Sequence, residues 1–431
     1  MKLFEPKILT AFKGYKAKDY ISDVIAGIIV AIIALPLSIA LAIASGATPE
    51  TGLFTAIIAG FATALLGGSK VNITGPTAAF ATIVAGIILT QGMDGLFLAT
   101  IMAGIILILM GVLRLGSLIK YIPHTITVGF TGGIAVTLVI GQLKDFFGLT
   151  YPAGATAIET IDKLKLVIEN ISTFNPFAFA VGLLGLAILI VWPKISKKIP
   201  GSLIAVLVGS LVCLIPAINV NTIGSLYTIS SSLPTFSVPE ISLERIITLL
   251  PNAFTIALLA GIESLLSCVV SDKMISDKHN SNTELIALGS ANLLVGFMGG
   301  IPATGAIART AANVKNGGKS PLSGMIHAVV LLLVLILLMP LASFIPMPII
   351  ASILFIVAYN MSEWREFVAI IKTKKWNDIL VLVLTFALTV IFDLVKAIAV
   401  GLIVHYSIVL VRTIIQKRKE KTQENNQEEE N

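Results

Sequence analysis

The stretch GGIPATGAIART, residues 299–310, lies inside a long apolar region yet carries three glycines, a proline and Arg309. Glycine and proline interrupt a helix, and an arginine in lipid is costly unless it faces a partner or a polar cavity. The 431 residues around it are 56% hydrophobic and 13% charged, too few charges to cover a soluble fold of that length. Apolar runs recur from Val24 to Val411, most of them long enough to cross about 30 Å of hydrocarbon. An all-α polytopic membrane protein is expected. Its first run exceeds a signal h-region and is read as a retained span.

The runs divide into about fourteen segments, some short or broken. They begin near Ser22, Gly52, Thr74, Gly95, Ile122, Phe174, Gly201, Ile246, Leu285, Gly305, Leu322, Ile349, Ile379 and Lys396. With the N-terminus in the cytoplasm, Lys70, Arg114, Lys120, Lys194, Lys197, Lys198, Lys273, Lys278, Lys315, Lys319, Lys372, Lys374 and Lys375 fall inside. Only Lys144, Lys163, Lys165, Arg245 and Lys396 fall outside, which places both termini in the cytoplasm of a multi-pass plasma (inner) membrane protein. The net charge of +6 belongs to this loop bias, and no nucleic-acid role is expected. Cys213 and Cys268 sit in apolar runs and imply neither a disulfide nor a metal framework.

Fourteen segments can be two sevens, and an odd-numbered repeat is inverted in the membrane. LLGGSKVNITGPTAAF in the first half matches VGFMGGIPATGAIART in the second, with Thr74–Ala78 set against Thr304–Ala308. LPLSIALA around Pro36 matches GIESLLSC around Glu263. The expected organisation is an interfacial N-terminus over residues 1–21, a first repeat over 22–218 and an extracellular linker over 219–245. A second repeat follows over 246–412, then a disordered tail over 413–431.

Glycine- and proline-interrupted segments at matching places in two halves point to a transporter's binding site. Half-helices would start near Pro76 and Gly305, with the extended residues before them, 71–73 and 301–303, pairing as short antiparallel strands. A helix start exposes N–H groups at the positive end of its dipole, so two converging starts make an anion site from backbone alone. Thr77, Ala78, Ala306 and Ile307 are expected to line it, with Arg309 adding positive field. Ser267 lies one turn from Glu263 on the same helix face and joins the expected substrate-binding set. Glu263 lies nine residues before Asp272, about 14 Å from the helix end, and no other carboxylate is placed as deeply. It is expected to carry a coupling proton. No P-loop, HExxH, CxxC or GxSxG occurs, so an enzyme, a cofactor and a metal site are not expected.

In GIESLLSCVVSDKM, HNSNTELIALGSANLLVGFMGGIPATGAIARTAANVKNGG and FTGGIAVTLVIGQLKDFFGL the chain resembles the sulfate permease family, bacterial relatives of the solute-carrier-26 anion transporters. The resemblance runs from about Ala11 to Arg412. It implies a fold shared with nucleobase transporters: a core domain of spans 1–4 and 8–11 that moves against a gate domain, with substrate between the third and tenth segments. It also implies homodimers and small inorganic or carboxylate anions. Family members usually carry a cytoplasmic STAS domain after the last span, and this sequence stops without one. Sodium-coupled bicarbonate members resemble this chain but have Asp at the position of Glu263 and Thr at those of Ser267 and Ile307. The expected function is proton-coupled secondary transport of a sulfate- or bicarbonate-type anion by alternating access. Sodium-coupled bicarbonate symport and an exchanger or channel of the same fold are the alternatives.

Overall fold

The computed structural model describes residues 4–117, 123–152, 155, 157, 159–196, 199–392 and 394–429, with backbone alone for 394–395 and 416–429. Ile122, Lys120, Lys197 and Lys198, used above for span and sidedness, lie outside the described residues. Among the described residues, nine helices are long and apolar enough to cross a membrane, accompanied by two shorter apolar helices.

The first half contributes α1 (Ala17–Ala44), α2 (Pro49–Leu66), strand β1 (Thr74–Gly75), α3 (Ala81–Val112), α4 (His124–Phe147), α5 (Pro176–Ile195) and α6 (Gly201–Val212). The second contributes α7 (Leu243–Ile275), α8 (Ser281–Phe297), strand β2 (Thr304–Gly305), α9 (Ile307–Lys315), α10 (Pro321–Leu338), α11 (Met347–Met361), α12 (Trp376–Ile391) and α13 (Leu394–Glu429). Local chemistry sets many of these starts. Pro49 and Pro176 occupy first-turn positions where no N–H is needed, and the Asn175 and Asn280 side chains accept from the first backbone N–H groups of α5 and α8. Within α3, Gly92 takes φ +69° and ψ −177°, a conformation open to glycine, and breaks the helix into a short first part and a longer second.

The helices pack as two groups. α1, α2, α3, α7, α8, α9 and α10 pack on one another, as do α4, α5, α6, α11, α12 and α13, and the groups touch through α1 with α4, α6 and α11, through α3 with α4 and through α7 with α13. Small residues set the close crossings. A Cβ on Gly104 would meet the Gly289 carbonyl oxygen at 2.7 Å, and one on Gly296 would meet the Phe97 oxygen at 2.9 Å, so α3 and α8 pack nearly backbone to backbone. Gly133 and Gly185 seat Thr389 and Ile349 in the second group in the same way.

β1 and β2 are the only strands among the described residues, and they join the two halves of the chain. They pair antiparallel, Thr74 with Gly305 and Gly75 with Thr304, just after the stretches 71–73 and 301–303 where the pairing is expected. Irregular backbone inside a membrane protein must find partners within the protein. Here Ala306 N–H donates to Ile73 O at 2.9 Å, Ile301 N–H to Thr55 Oγ1 at 2.7 Å and Ala303 N–H to Asn292 Oδ1 at 2.9 Å.

At the N-terminal face, residues 4–16 lie across neighbouring loops. Lys7 and Lys70 each pair with Asp277 at 3.2 Å, and Glu5 N–H donates to Thr283 Oγ1. Asp23 accepts from Tyr15 Oη, from Lys319 N–H at 2.7 Å and from Ser320 Oγ at 2.5 Å. Protein carboxylates thus take up groups that the sequence places near lipid headgroups. At the other end α13 continues as helix through Glu429, where a disordered tail is expected. Lys, Glu and Gln dominate that stretch, and all three are good helix formers that extend a helix already nucleated by a span.

Candidate functional site

The site forms where the two strands end and their helices begin. After Gly75 the chain passes Pro76 and Thr77 into a short 3-10 turn, Ala78–Phe80, that leads into α3; after Gly305 it passes Ala306 into α9. Both starts leave N–H groups without intrahelical partners. Ala306 N–H is taken by Ile73 O and Thr310 N–H by Ala306 O, so the N–H groups of Ile307 and Ala308 stand at the open end of α9. Ile307 itself is 40% exposed, whereas Ala78 is buried.

Glu263, on α7, is half-buried and its Oε2 accepts from Thr77 Oγ1 at 2.9 Å. Arg309 is 1% exposed and donates from Nη2 to Pro76 O at 2.5 Å. The Glu263 carboxylate and the guanidinium therefore grip adjacent residues of one extended turn, and they make no direct ion pair. Arg309 is buried behind the strands and does not reach the opening. Gly75 permits this: a Cβ there would lie 3.2 Å from Arg309 Cζ and 3.4 Å from the Ala56 Cα.

Thr77, Ala306, Ile307 and Glu263 are thus gathered at one partly open place, with Ala78 and Arg309 behind it. Ser267 is not at the opening. It is fully buried, with its Oγ 2.7 Å from Asn72 Oδ1 and 2.9 Å from Thr310 Oγ1. It belongs to a network that the sequence does not announce. Asn72 Nδ2 donates to Glu284 Oε1 at 2.7 Å and Ser264 Oγ at 3.1 Å, while Glu284 Oε2 accepts from the N–H groups of Gly68 and Ser69. Thr310 Oγ1 accepts from Ile73 N–H at 3.0 Å and donates to Asn72 Oδ1. The network ties α7, α8 and α9 to the strand leading into the site.

Glu284 is 1% exposed and Asp23 fully buried, so burial inside the protein is not peculiar to Glu263. Both lie within the first two turns of their helices, where sequence reads them as interfacial; loops from elsewhere in the chain fold over them and supply their donors. What sets Glu263 apart is its partial exposure at the opening.

Two interrupted helices meeting inside a bundle of apolar helices, beside a carboxylate and a buried arginine, make the arrangement of a membrane transporter. The chain belongs to the sulfate permease family, whose model matches residues 20–385. It is 44% identical over 420 residues, 97% of this chain and 78% of the relative, to the putative sulfate transporter YvdB of Bacillus subtilis. It is 32% identical to the bicarbonate transporter BicA of Picosynechococcus sp., over 89% of this chain and 69% of that one. The transmembrane domain of a cyanobacterial BicA superposes with a TM-score of 0.80 at 31% identity, covering 89% of this chain and 98% of that domain. Murine Slc26a9, an anion transporter in an inward-facing state, shares the fold with a TM-score of 0.87 at 19% identity, over 95% of this chain and 71% of its own. These relatives are transporters, not enzymes.

Proposed function

We propose that this protein is a secondary active transporter of a small anion of the sulfate or bicarbonate type, coupled to protons and working by alternating access. The anion sits between the starts of the Ala78–Phe80 turn and α9, held by backbone N–H groups near Thr77, Ala78, Ala306 and Ile307 and by the field of Arg309. The observation that carries this is the placement of Arg309, a fully buried cation whose one hydrogen bond goes to a carbonyl oxygen at the start of the opposing half-helix. Among the described residues no carboxylate makes a direct ion pair with that cation, so an anion entering the opening meets its positive field, which protonation of Glu263 would strengthen.

Glu263 is assigned the coupling proton. Its bond from Thr77 links the carboxylate to one wall of the anion seat, so protonation and anion binding act on the same turn. Ile307 offers no side-chain oxygen to a sodium ion, which takes oxygen ligands. Ser267, held in its network, shapes the seat from behind. The first group of packed helices would move as the anion-carrying core against the second as gate, with both termini in the cytoplasm. Counting the break at Gly92 as a boundary yields about fourteen segments, which we read as two inverted sevens. The family resemblance makes a homodimer part of the proposal, and cross-linking in membranes tests it.

The test is uptake of labelled sulfate and bicarbonate into proteoliposomes under an inward proton gradient and, separately, an inward sodium gradient. Concentrative, saturable uptake with protons alone is the expected result. Uptake that requires sodium would transfer the protein to the sodium-coupled bicarbonate reading, and flux that neither saturates nor accumulates would make it a channel.

A further inference from the structure

α10 is an apolar helix, PLSGMIHAVVLLLVLILL, with one ionisable side chain, His327. An ionisable group buried inside a membrane helix bundle asks for a partner and a task. His327 is fully buried, and neither ring nitrogen has a hydrogen-bond partner within the protein. Arg309 shows the complementary lack: Nε and Nη1 are buried donors with no acceptor.

These groups share one wall. A Cβ on Gly60 of α2 would lie 3.5 Å from His327 Cδ2 and 3.4 Å from Thr74 O. One turn earlier on α2, Ala56 lies behind the place where Gly75 meets the Arg309 guanidinium. Ala56 and Gly60 are about 6 Å apart on the same face of α2. The small residues Ala56 and Gly60 thus let an imidazole and a guanidinium approach along one face of α2 behind the strand.

We infer that His327 is a positioning residue for Arg309: its neutral ring accepts, through a buried water, from the guanidinium N–H groups that Pro76 leaves free. An uncharged imidazole supplies one acceptor nitrogen, which arginine lacks and needs. Fixed from both sides, the guanidinium keeps its aim at Pro76 O and at the seat beyond. Without His327 it keeps its charge and loses its direction. The inference rests on the proposed anion seat for its functional consequence and on geometry alone for the contact.

Two measurements separate these. In the first, full-length protein labelled with 15N-histidine is placed in nanodiscs, and the ring resonances are compared between wild type and Arg309→Met. The chain has four histidines, and His327→Asn assigns the signal by its loss. The His327 nitrogens should shift when Arg309 is removed; identical ring shifts would overturn the contact even if no anion ever binds.

In the second, sulfate binding is titrated calorimetrically on wild type, His327→Leu, His327→Asn, Arg309→Met and the Leu/Met double variant. His327→Leu should weaken binding about tenfold, the effect of one lost bond to a charged group, and His327→Asn should recover most of it. On the Arg309→Met background His327→Leu should add nothing. An equal loss on both backgrounds would mean that His327 does not act through Arg309. Absence of sulfate binding by wild type would count against the anion seat and leave the ring shifts to decide the contact. If His327→Leu does not fold, His327→Asn and the labelled pair still decide.

Discussion

Thr77 and Glu263 are 186 positions apart in the chain, yet Thr77 Oγ1 donates to Glu263 Oε2 at 2.9 Å. One residue earlier, Pro76 O accepts from Arg309. A two-residue turn is therefore held on one side by a group that can lose its charge and on the other by one that cannot. In the proposed coupling, protonating Glu263 would weaken the Thr77 bond without touching the arginine.

Glu263→Gln keeps size and hydrogen bonding and removes titration. It is expected to abolish concentrative uptake driven by a proton gradient while retaining anion exchange down a gradient. Parallel proteoliposome assays in the two modes check this. Undiminished pH-driven accumulation would remove Glu263 from the coupling role.

Gly75→Ala tests the close approach of Arg309 to the strand. The new methyl falls on the guanidinium, with Ala56 behind it, so the side chain must shift. Anion affinity should fall on the order of tenfold with the fold intact, read as a change in KM for uptake. Gly141→Ala, where a Cβ meets nothing within 4 Å, is the matched control and should behave as wild type.

Glu284→Ala removes the acceptor for Gly68 N–H, Ser69 N–H and Asn72 Nδ2 at once. Leaving buried donors unpaired costs about 1–3 kcal/mol for each group, so the variant should melt well below wild type in detergent. Equal thermal-shift midpoints would mean that water replaces the carboxylate. Ser267→Ala, which strips one hydroxyl from the same network, should cost about 1 kcal/mol and leave coupling in place.

Asp277 links the N-terminal segment to the loop after α7. Burial pushes its carboxyl up, but the backbone bond at Lys278 and the ammonium groups of Lys70 and Lys7 outweigh that and hold it below the usual carboxylate range. A carboxyl lowered in the folded state contributes stability that is present above its unfolded value and is lost as pH falls through the folded one. Hydrogen exchange over residues 5–11 should therefore quicken below the ordinary carboxylate range. Asp277→Asn should give fast exchange already at neutral pH, with a stability cost under about 1 kcal/mol, since the pair is partly exposed. Exchange that does not respond to acid would show that Glu5 and Asp23 alone secure the segment.

Much of this was legible in the sequence because lipid imposes local rules. Long apolar runs must be helices, so the spans could be read from Val24 onward. Glycine and proline at Gly75–Pro76 and Gly299–Gly305 can only interrupt them, and that located the strands and the half-helix starts. An arginine in such a stretch must serve a purpose, and Arg309 is indeed buried there. What could not be read was which polar group meets which. Asn72 finds Glu284 across 212 positions, and Ser267 finds Asn72 across 195, so Ser267 sits behind the opening and not in it. His327 reads as one polar residue in an apolar helix until Gly60 brings its ring beside Thr74. Hydrophobic periodicity is a property of each segment alone and is written locally. Hydrogen-bond partners inside a bundle depend on how the helices cross, and those crossings are decided by small residues such as Gly104 and Gly289 meeting only in the folded chain.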